Sequence, residues 1–251
     1  MIDDLVSIVM PAYNAAATIE RSIGSVQDQD HRQWELLVVD DCSRDNTGEI
    51  VSRVAAQDAR VRYIRQERNS GSGAARARAL KEARGRYLAF LDSDDLWLPG
   101  KLTRQLQYLA QNQGGFCFTA YRRFSDAPAR PGRMIPVPAQ LTYREALGNT
   151  AIATSAVLLD RARVARIEIR DVYHDDLVLW LSIMRQGVVA HGLDEDWVRY
   201  SVARGSKSHN RMRMARMVWH TYREVEGMGI AHSAWCFVQY AARAWLKHAR
   251  F

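Results

Sequence analysis

Apolar residues in this chain fall into short runs that end in polar clusters, and longer amphipathic stretches lie between them. Leu5–Met10, Glu35–Val39, Val61–Ile64 and Tyr87–Leu91 have the length and aliphatic-aromatic content of strands. Ala15–Gln27, Thr47–Ala56, Ala74–Ala83 and Leu102–Gln111 follow helical spacing, with Asn46 or Thr47 as a cap and Glu49 in the first turn of the second helix. Strands alternating with helices of about 10–15 residues predict βαβ units and a mostly parallel sheet. The strand runs are continuously apolar, which predicts a sheet covered on both faces. The second half is less regular. Phe116–Tyr121, Ala156–Leu159, Val188–Leu193 and Trp197–Val202 suit strands, and Asp175–Arg185 suits a helix. Ser125–Gln140 holds Pro128, Pro131, Pro136 and Pro138 and reads as a loop. From Ser208 two helical segments follow, separated near Gly227–Gly229. There is no internal repeat or low-complexity tract.

In open α/β sheets ligands bind beyond the carboxyl ends of the strands. Here those ends carry Pro11-Ala-Tyr13-Asn14, Asp40-Asp41 and Asp92-Ser-Asp94-Asp95. Carboxylates are rarely buried without a partner, so three at one strand tip need a reason. Hard oxygen ligands suit Mg²⁺ or Mn²⁺, ions that usually bind together with substrate phosphates. The rival reading is a solvated acidic turn with Asp95 near the cap of the next helix.

Composition narrows the class. The 251 residues fit one large α/β domain or two small ones. The net charge of +7 is uneven: Arg199–Phe251 carries ten Lys/Arg against two acids, and the preceding residues carry 25 against 26. The basicity is therefore a regional property. Cys42, Cys117 and Cys236 are odd in number and lack CxxC spacing, which argues against a disulfide framework or zinc site and fits a reducing cytosol. No signal peptide is visible in Met-Ile-Asp-Asp, and no apolar run is long enough to predict a membrane span.

Five segments, in order across about residues 5–185, resemble the family 2 nucleotide-sugar glycosyltransferases. They are Ser7-Ile-Val-Met-Pro11-Ala-Tyr13-Asn14, Leu37-Val-Val-Asp40-Asp41-Cys-Ser43, Asn69-Ser-Gly71-Ser-Gly73-Ala-Ala-Arg76, Gly85 through Leu102, and His174-Asp175-Asp176-Leu-Val-Leu-Trp180-Leu. The later part is similar to transferases that build bacterial surface polysaccharides of the teichuronic-acid and exopolysaccharide type. The chain departs from the family pattern at Ala77, where Asn is usual, and at Asp175-Asp176, where Glu-Asp is usual.

The resemblance implies a GT-A (Rossmann-like) α/β fold, a mostly parallel mixed sheet flanked by helices, with C-terminal amphipathic helices. It divides the chain into a catalytic domain, 1–205, with a nucleotide-binding half (1–115) and an acceptor-binding half (116–205), and a basic segment, 206–251. It further implies that Pro11, Tyr13, Asn14, Asp41, Arg76, Asp92 and Ser93 bind the nucleotide. Tyr13 would stack on the base and Asp41 would accept from a uracil imide N–H. Asp94, with Asp92, would hold Mn²⁺ or Mg²⁺. Asp176, beside Asp175, would be the general base of an inverting displacement. His174 could assist it. Lys207 and His209 would reach the diphosphate. Each residue also has a plainer reading: a Tyr packed under a loop, a turn plus cap at Asp40-Asp41, solvated arginines at Arg76 and Arg78, and first-turn acids favoured by the helix dipole at Asp175-Asp176.

The C-terminal segment interleaves Arg211, Arg213 and Arg216 with Met212, Met214, Met217 and Trp219. Trp235, Val238, Ala242 and Trp245 then fall on one helical stripe, with Arg243, Lys247, His248 and Arg250 nearby. Two readings stand: the stripe packs on the main domain, or it lies on anionic lipid. No motif for nucleic acid accompanies the basic residues.

The expected function is transfer from a nucleotide sugar, a UDP-sugar, to a glycan or polyprenyl-diphosphate-linked acceptor at the cytoplasmic membrane face. A sugar-nucleotide pyrophosphorylase would need a Gly-rich basic loop after the first strand, where this chain has Pro11-Ala-Tyr13-Asn14. A non-catalytic module using the basic segment would leave the carboxylates unexplained.

Overall fold

The structure, a computed structural model, describes residues 2–125, 131–149, 151–169, 175–202 and 211–249. The first half is four βα repeats: β1 (Ile2–Ala12), α1 (Ile19–Gln27), β2 (Trp34–Asp40), α2 (Thr47–Gln57), β3 (Val61–Arg65), α3 (Ser72–Glu82), β4 (Gly85–Phe90) and, after a two-residue strand β5 (Leu96–Trp97), α4 (Lys101–Asn112). The second half holds β6 (Phe116–Phe124), β7 (Met134–Ile135), β8 (Gln140–Leu141), α5 (Tyr143–Leu147), a 3₁₀ turn (Thr154–Ala156), β9 (Val157–Asp160), α6 (Asp175–Met184) and β10 (Ala190–Ser201). Then come α7 (Arg211–His220), a π-helical turn (Thr221–Val225) and α8 (Ile230–Ala249).

Ten strands among the described residues form one sheet, ordered β3-β2-β1-β4-β9-β6-β10-β5, with β7 on β6 and β8 on β10. β3, β2, β1 and β4 are mutually parallel. β9 runs antiparallel to both β4 and β6, so β6 points the same way as β4, and β10 runs parallel to β6. The carboxyl ends of six strands therefore meet at one rim. Successive residues of each central strand enter opposite cores. Val9, Leu37, Val39, Leu88 and Phe90 pack with Ala75 and Ala79 of α3 and with Leu179–Met184 of α6. Ile8, Met10, Leu36, Val38 and Ala89 pack with α1, α2 and Leu102 of α4. Two covered faces explain why the strand sequences are apolar throughout.

The sequence reading is corrected in several places. β1 continues through Pro11, which lies opposite Val39; the ring removes only one donor from the ladder. The two short strands expected at 188–193 and 197–202 are one strand, β10, bent by irregularities between Leu193 and Val198. That break in pairing interrupts the apolar pattern. The proline-rich loop contains β7 and β8. The acidic turn does not cap α4, whose N-cap is Gly100; Asp95 is buried and bonded elsewhere.

Candidate active site

The rim is built from the turns after β1, β2 and β4 and the starts of α3 and α6. After β1 the chain turns sharply at Asn14, in the left-handed region at φ 49°. Its side-chain carbonyl accepts the Arg44 N–H at 2.9 Å, and its own N–H donates to Ser43 Oγ at 2.9 Å. Asp45 accepts from Ala16 N–H (3.0 Å) and from the Thr47 hydroxyl (2.5 Å). These bonds fix the first two turns to each other and leave Tyr13 projecting, 46% exposed.

At the tip of β2 the two acids differ. Asp40 is buried, accepting from Ser43 N–H at 2.9 Å and the Tyr63 hydroxyl at 2.7 Å. Asp41 organises the next loop. Its Oδ1 accepts from Gln66 Nε2 and Ser70 N–H, and its Oδ2 from Gly71 N–H, each at 2.7 Å. Gly71 can present that N–H because its φ is 92°, a conformation that disfavours other residues. The glycine-rich segment is thus folded around the Asp41 carboxylate.

Arg76, read from sequence as facing either solvent or the nucleotide, is only 6% exposed. Its two terminal nitrogens hold Asp92 Oδ1 at 2.6 Å and Asp175 Oδ2 at 2.5 Å. Burial alone would lower its pKa, but the charges of Asp92, Asp175 and Asp176 outweigh that and raise it. The plain reading of Arg76 as a solvated surface arginine is overturned. One guanidinium bridges the tip of β4 and the start of α6. Asp175 does stand in the first turn of α6, as the helix-dipole reading has it, but it is also buried, accepts from Ser72 Oγ at 3.4 Å, and burial raises its pKa against the pull of Arg76.

In the acidic turn, the Ser93 carbonyl accepts from the hydroxyls of Thr18 (2.9 Å) and Ser22 (3.0 Å), which pins the turn to α1. Asp94 stays partly open, and its carboxyl is pushed up to about 6 by burial and by the neighbouring Asp92 charge. Asp95 points inward. It accepts from Ser155 Oγ at 2.5 Å and Ser201 N–H at 2.7 Å, and burial raises its pKa well above the usual range. Ser155 Oγ also accepts the Asp92 N–H at 3.1 Å. Asp176 accepts from the Thr154 hydroxyl at 3.0 Å.

Thr154, Ser155 and Ser201 escape the sequence reading. They are small polar residues at strand ends; the antiparallel insertion of β9 beside β4 brings Thr154 and Ser155 to the carboxylates, and the pairing of β10 with β5 brings Ser201 to Asp95. His174, Lys207 and His209 lie outside the described residues.

Among the described residues there is no group of three or more His, Cys, Asp or Glu side chains placed to hold a metal ion. The donor set nevertheless fits a divalent cation shared with a ligand. Asp92 and Asp94 supply hard oxygens, Asp94 is held against its neighbour's charge, and Arg76 faces the charges of Asp92, Asp175 and Asp176.

Comparison with known proteins agrees with this architecture. TuaG of Bacillus subtilis (strain 168), a glycosyltransferase named for teichuronic acid biosynthesis, is 39% identical over 241 residues, covering 96% of each chain. The UDP-Glc:alpha-D-GlcNAc-diphosphoundecaprenol beta-1,3-glucosyltransferase WfgD of Escherichia coli is 36% identical, over 87% of this chain and 85% of that protein. TarS of S. aureus in complex with UDP-GlcNAc superposes with a TM-score of 0.70 at 19% identity, over 95% of this chain and 72% of that one. The mannosyltransferase PcManGT of Pyrobaculum calidifontis, with GDP-Man and Mn²⁺, superposes with a TM-score of 0.71 at 20% identity, over 97% and 75%. These two establish the GT-A fold. The Glycosyl transferase family 2 model matches residues 7–164, and the chain belongs to that family of glycosyltransferases.

Proposed function

We propose that this glycosyltransferase moves a sugar from a UDP-sugar to a glycan carried on a polyprenyl diphosphate, with inversion, in the synthesis of a bacterial surface polysaccharide. The observation that carries the reading is Arg76, held at 2.6 Å from Asp92 and 2.5 Å from Asp175. It makes the donor-side carboxylates and the acidic start of α6 parts of one site. The donor and acceptor classes rest on WfgD, whose name gives UDP-Glc and a diphosphoundecaprenol-linked GlcNAc.

In this mechanism the exposed ring of Tyr13 stacks on the base. Asp41 accepts from the imide N–H with the capacity its three existing bonds leave, since two carboxylate oxygens offer about four lone-pair sites. Pro11, Asn14 and Ser93 shape the nucleotide-binding turns. Asp92 and Asp94 are the residues that would hold Mn²⁺ or Mg²⁺. The ion, when bound, offsets charge on the departing diphosphate. Asp176, steadied by Thr154, takes the proton from the acceptor hydroxyl as its oxygen attacks the anomeric carbon. Asp175 remains paired with Arg76 and is a positioning residue. Lys207 and His209 are proposed contacts of the diphosphate.

The test is a panel of nucleotide sugars in thermal-shift and transfer assays, with and without Mn²⁺, on wild type, Asp94→Asn and Asp176→Asn. Stabilisation by a UDP-sugar that needs Mn²⁺ and is lost in Asp94→Asn is expected. Asp176→Asn should keep donor binding and lose transfer. Transfer by Asp176→Asn at the wild-type rate would remove the base assignment.

A further inference from the structure

The outer face of α8 reverses the usual pattern of a surface helix. Ala231, Ala234, Trp235, Val238, Ala241 and Ala242 recur every three or four residues, and all are exposed. Trp235 is 64% exposed and Val238 61%. The inner face carries buried Ser233 and Cys236, Phe237 and Tyr240 packed against the core, and Arg243, which reaches back to donate to the Gly148 carbonyl at 2.7 Å. The reading in which the Trp235–Val238 stripe packs on the main domain is therefore overturned. Of six large hydrophobic side chains exposed among the described residues, five lie between Met212 and Val238. Beside α8, a cleft of about 530 Å³ is lined by Trp219, Phe237, Arg216, His220, Arg223 and one acid, Glu224. α8 itself contains no acidic residue.

We propose that this face, α8 with Trp219 and Met212 of α7, is a docking surface for an anionic lipid bilayer. An apolar stripe with aromatic side chains and basic flanks is the composition of an interfacial helix. The segment from Arg199 onward carries ten Lys/Arg against two acids. Each basic residue brought near an anionic surface strengthens partitioning about fivefold. A second copy of the chain is a poor occupant, because a symmetric contact would bring together two segments that each carry a net positive charge. The face is also built into the catalytic unit. Tyr222 donates to the Leu147 carbonyl, and Glu226 accepts from Arg185 just past the end of α6. α6 carries Asp175 and Asp176 at its other end, about 15 Å away for ten residues. The bilayer would thus lie about one helix length from the acids, a deepening of the reading in which the acceptor is lipid-linked.

The test uses the full chain, with vesicles of phosphatidylcholine alone and of phosphatidylcholine mixed with phosphatidylglycerol. Wild type should co-sediment with the mixed vesicles, bind the neutral ones far more weakly, and be released by salt. The double variant Trp235→Ser, Val238→Ser removes only exposed side chains. It should bind at least about tenfold more weakly, with its melting temperature and UDP stabilisation unchanged. No sedimentation of wild type with anionic vesicles, or equal binding by the double variant, would overturn the proposal. So would a wild-type dimer that the double variant converts to monomer, which would make the face a self-interface. Vesicle binding needs no turnover, so its outcome is separate from that of the transfer assay.

Discussion

Lys101 offers a sharp test of how the site is supported. It opens α4, is fully buried, and its Nζ donates to Gln105 Oε1 at 2.7 Å while lying 3.9 Å from the centre of the Trp97 ring. No salt bridge to it is found among the described residues. Burial pushes its pKa down from 10.5 to about 7. Between these values the unfolded chain holds a proton that the folded chain does not, so stability rises with pH across that window. Below pH 7 both states are protonated and the full cost of burying the charge is present, ~5 kcal/mol at ~1.4 kcal/mol per unit. Lys101→Met keeps the length of the chain and removes the charge. It forfeits attraction to the Trp97 ring, about 2 kcal/mol, and leaves Gln105 Oε1 without its donor, about 1 kcal/mol. The variant should be more stable than wild type by about 2 kcal/mol below pH 7, crossing to a loss of about 1 kcal/mol above pH 10.5. Urea denaturation of both proteins at several pH values across that window measures the difference. A variant less stable than wild type below pH 7, or a difference that does not change with pH, would refute the reasoning.

Further outcomes follow from the same bonds. Asp94 has its pKa raised from 3.8 to about 6, so the folded chain binds more protons between those values and loses stability as pH rises through them; Asp94→Asn should therefore gain up to about 3 kcal/mol above pH 6 in melting experiments while losing metal-dependent donor binding. Arg76→Met leaves buried Asp175 and partly buried Asp92 without their cation and should cost about 3 kcal/mol in denaturant unfolding, with Arg76→Lys recovering part of the stability but less of kcat because one ammonium cannot span both acids. Asp41→Asn sets an amide against one of three N–H donors and should weaken UDP stabilisation at least about tenfold by titration calorimetry, with a fold loss of about 1–3 kcal/mol. Gly192→Ala would put a Cβ 2.0 Å from the Pro138 carbonyl oxygen, so β8 must leave β10; a fall in melting temperature with protease cleavage near 138 is expected.

The first half of the fold was legible because β1, β2 and β4 are buried on both faces and each helix on one. The periods of the apolar pattern then match the elements to within a few residues, as at β2 and α2. The second half was less so because its pairings are non-local. β9 slots antiparallel between β4 and β6, and β10 spans an irregular stretch that breaks the apolar period. Of the site, the carboxylates were visible as polar residues at strand tips. Their partners were not. Nothing local to Thr154-Ser155 marks it as the support of Asp92, Asp95 and Asp176, and the Ala/Arg composition of α3 hides the one arginine that turns inward.

That arginine shows why local rules fail here. In α3, Arg76 shares its buried face with Gly73, Ala75 and Ala79. Small neighbours let the helix sit close to β1 and β2, and the long side chain then reaches past the sheet edge to Asp92 and Asp175. A chain built for stability alone would put a hydrophobic residue there, since replacing a buried ion cluster by apolar groups is often neutral or stabilising. The same holds for Lys101, for Asp95 and for the raised carboxyl of Asp94. All four lie on or just behind one rim of the sheet, and each departs from what its burial would favour. Concentrated departures of this kind mark a candidate site of crowded carboxyl charge, which a bound ligand and cation would relieve. The surrounding turns, pinned by Asp41, Asp45, Ser155 and the Ser93 carbonyl, keep that charge in place before either arrives.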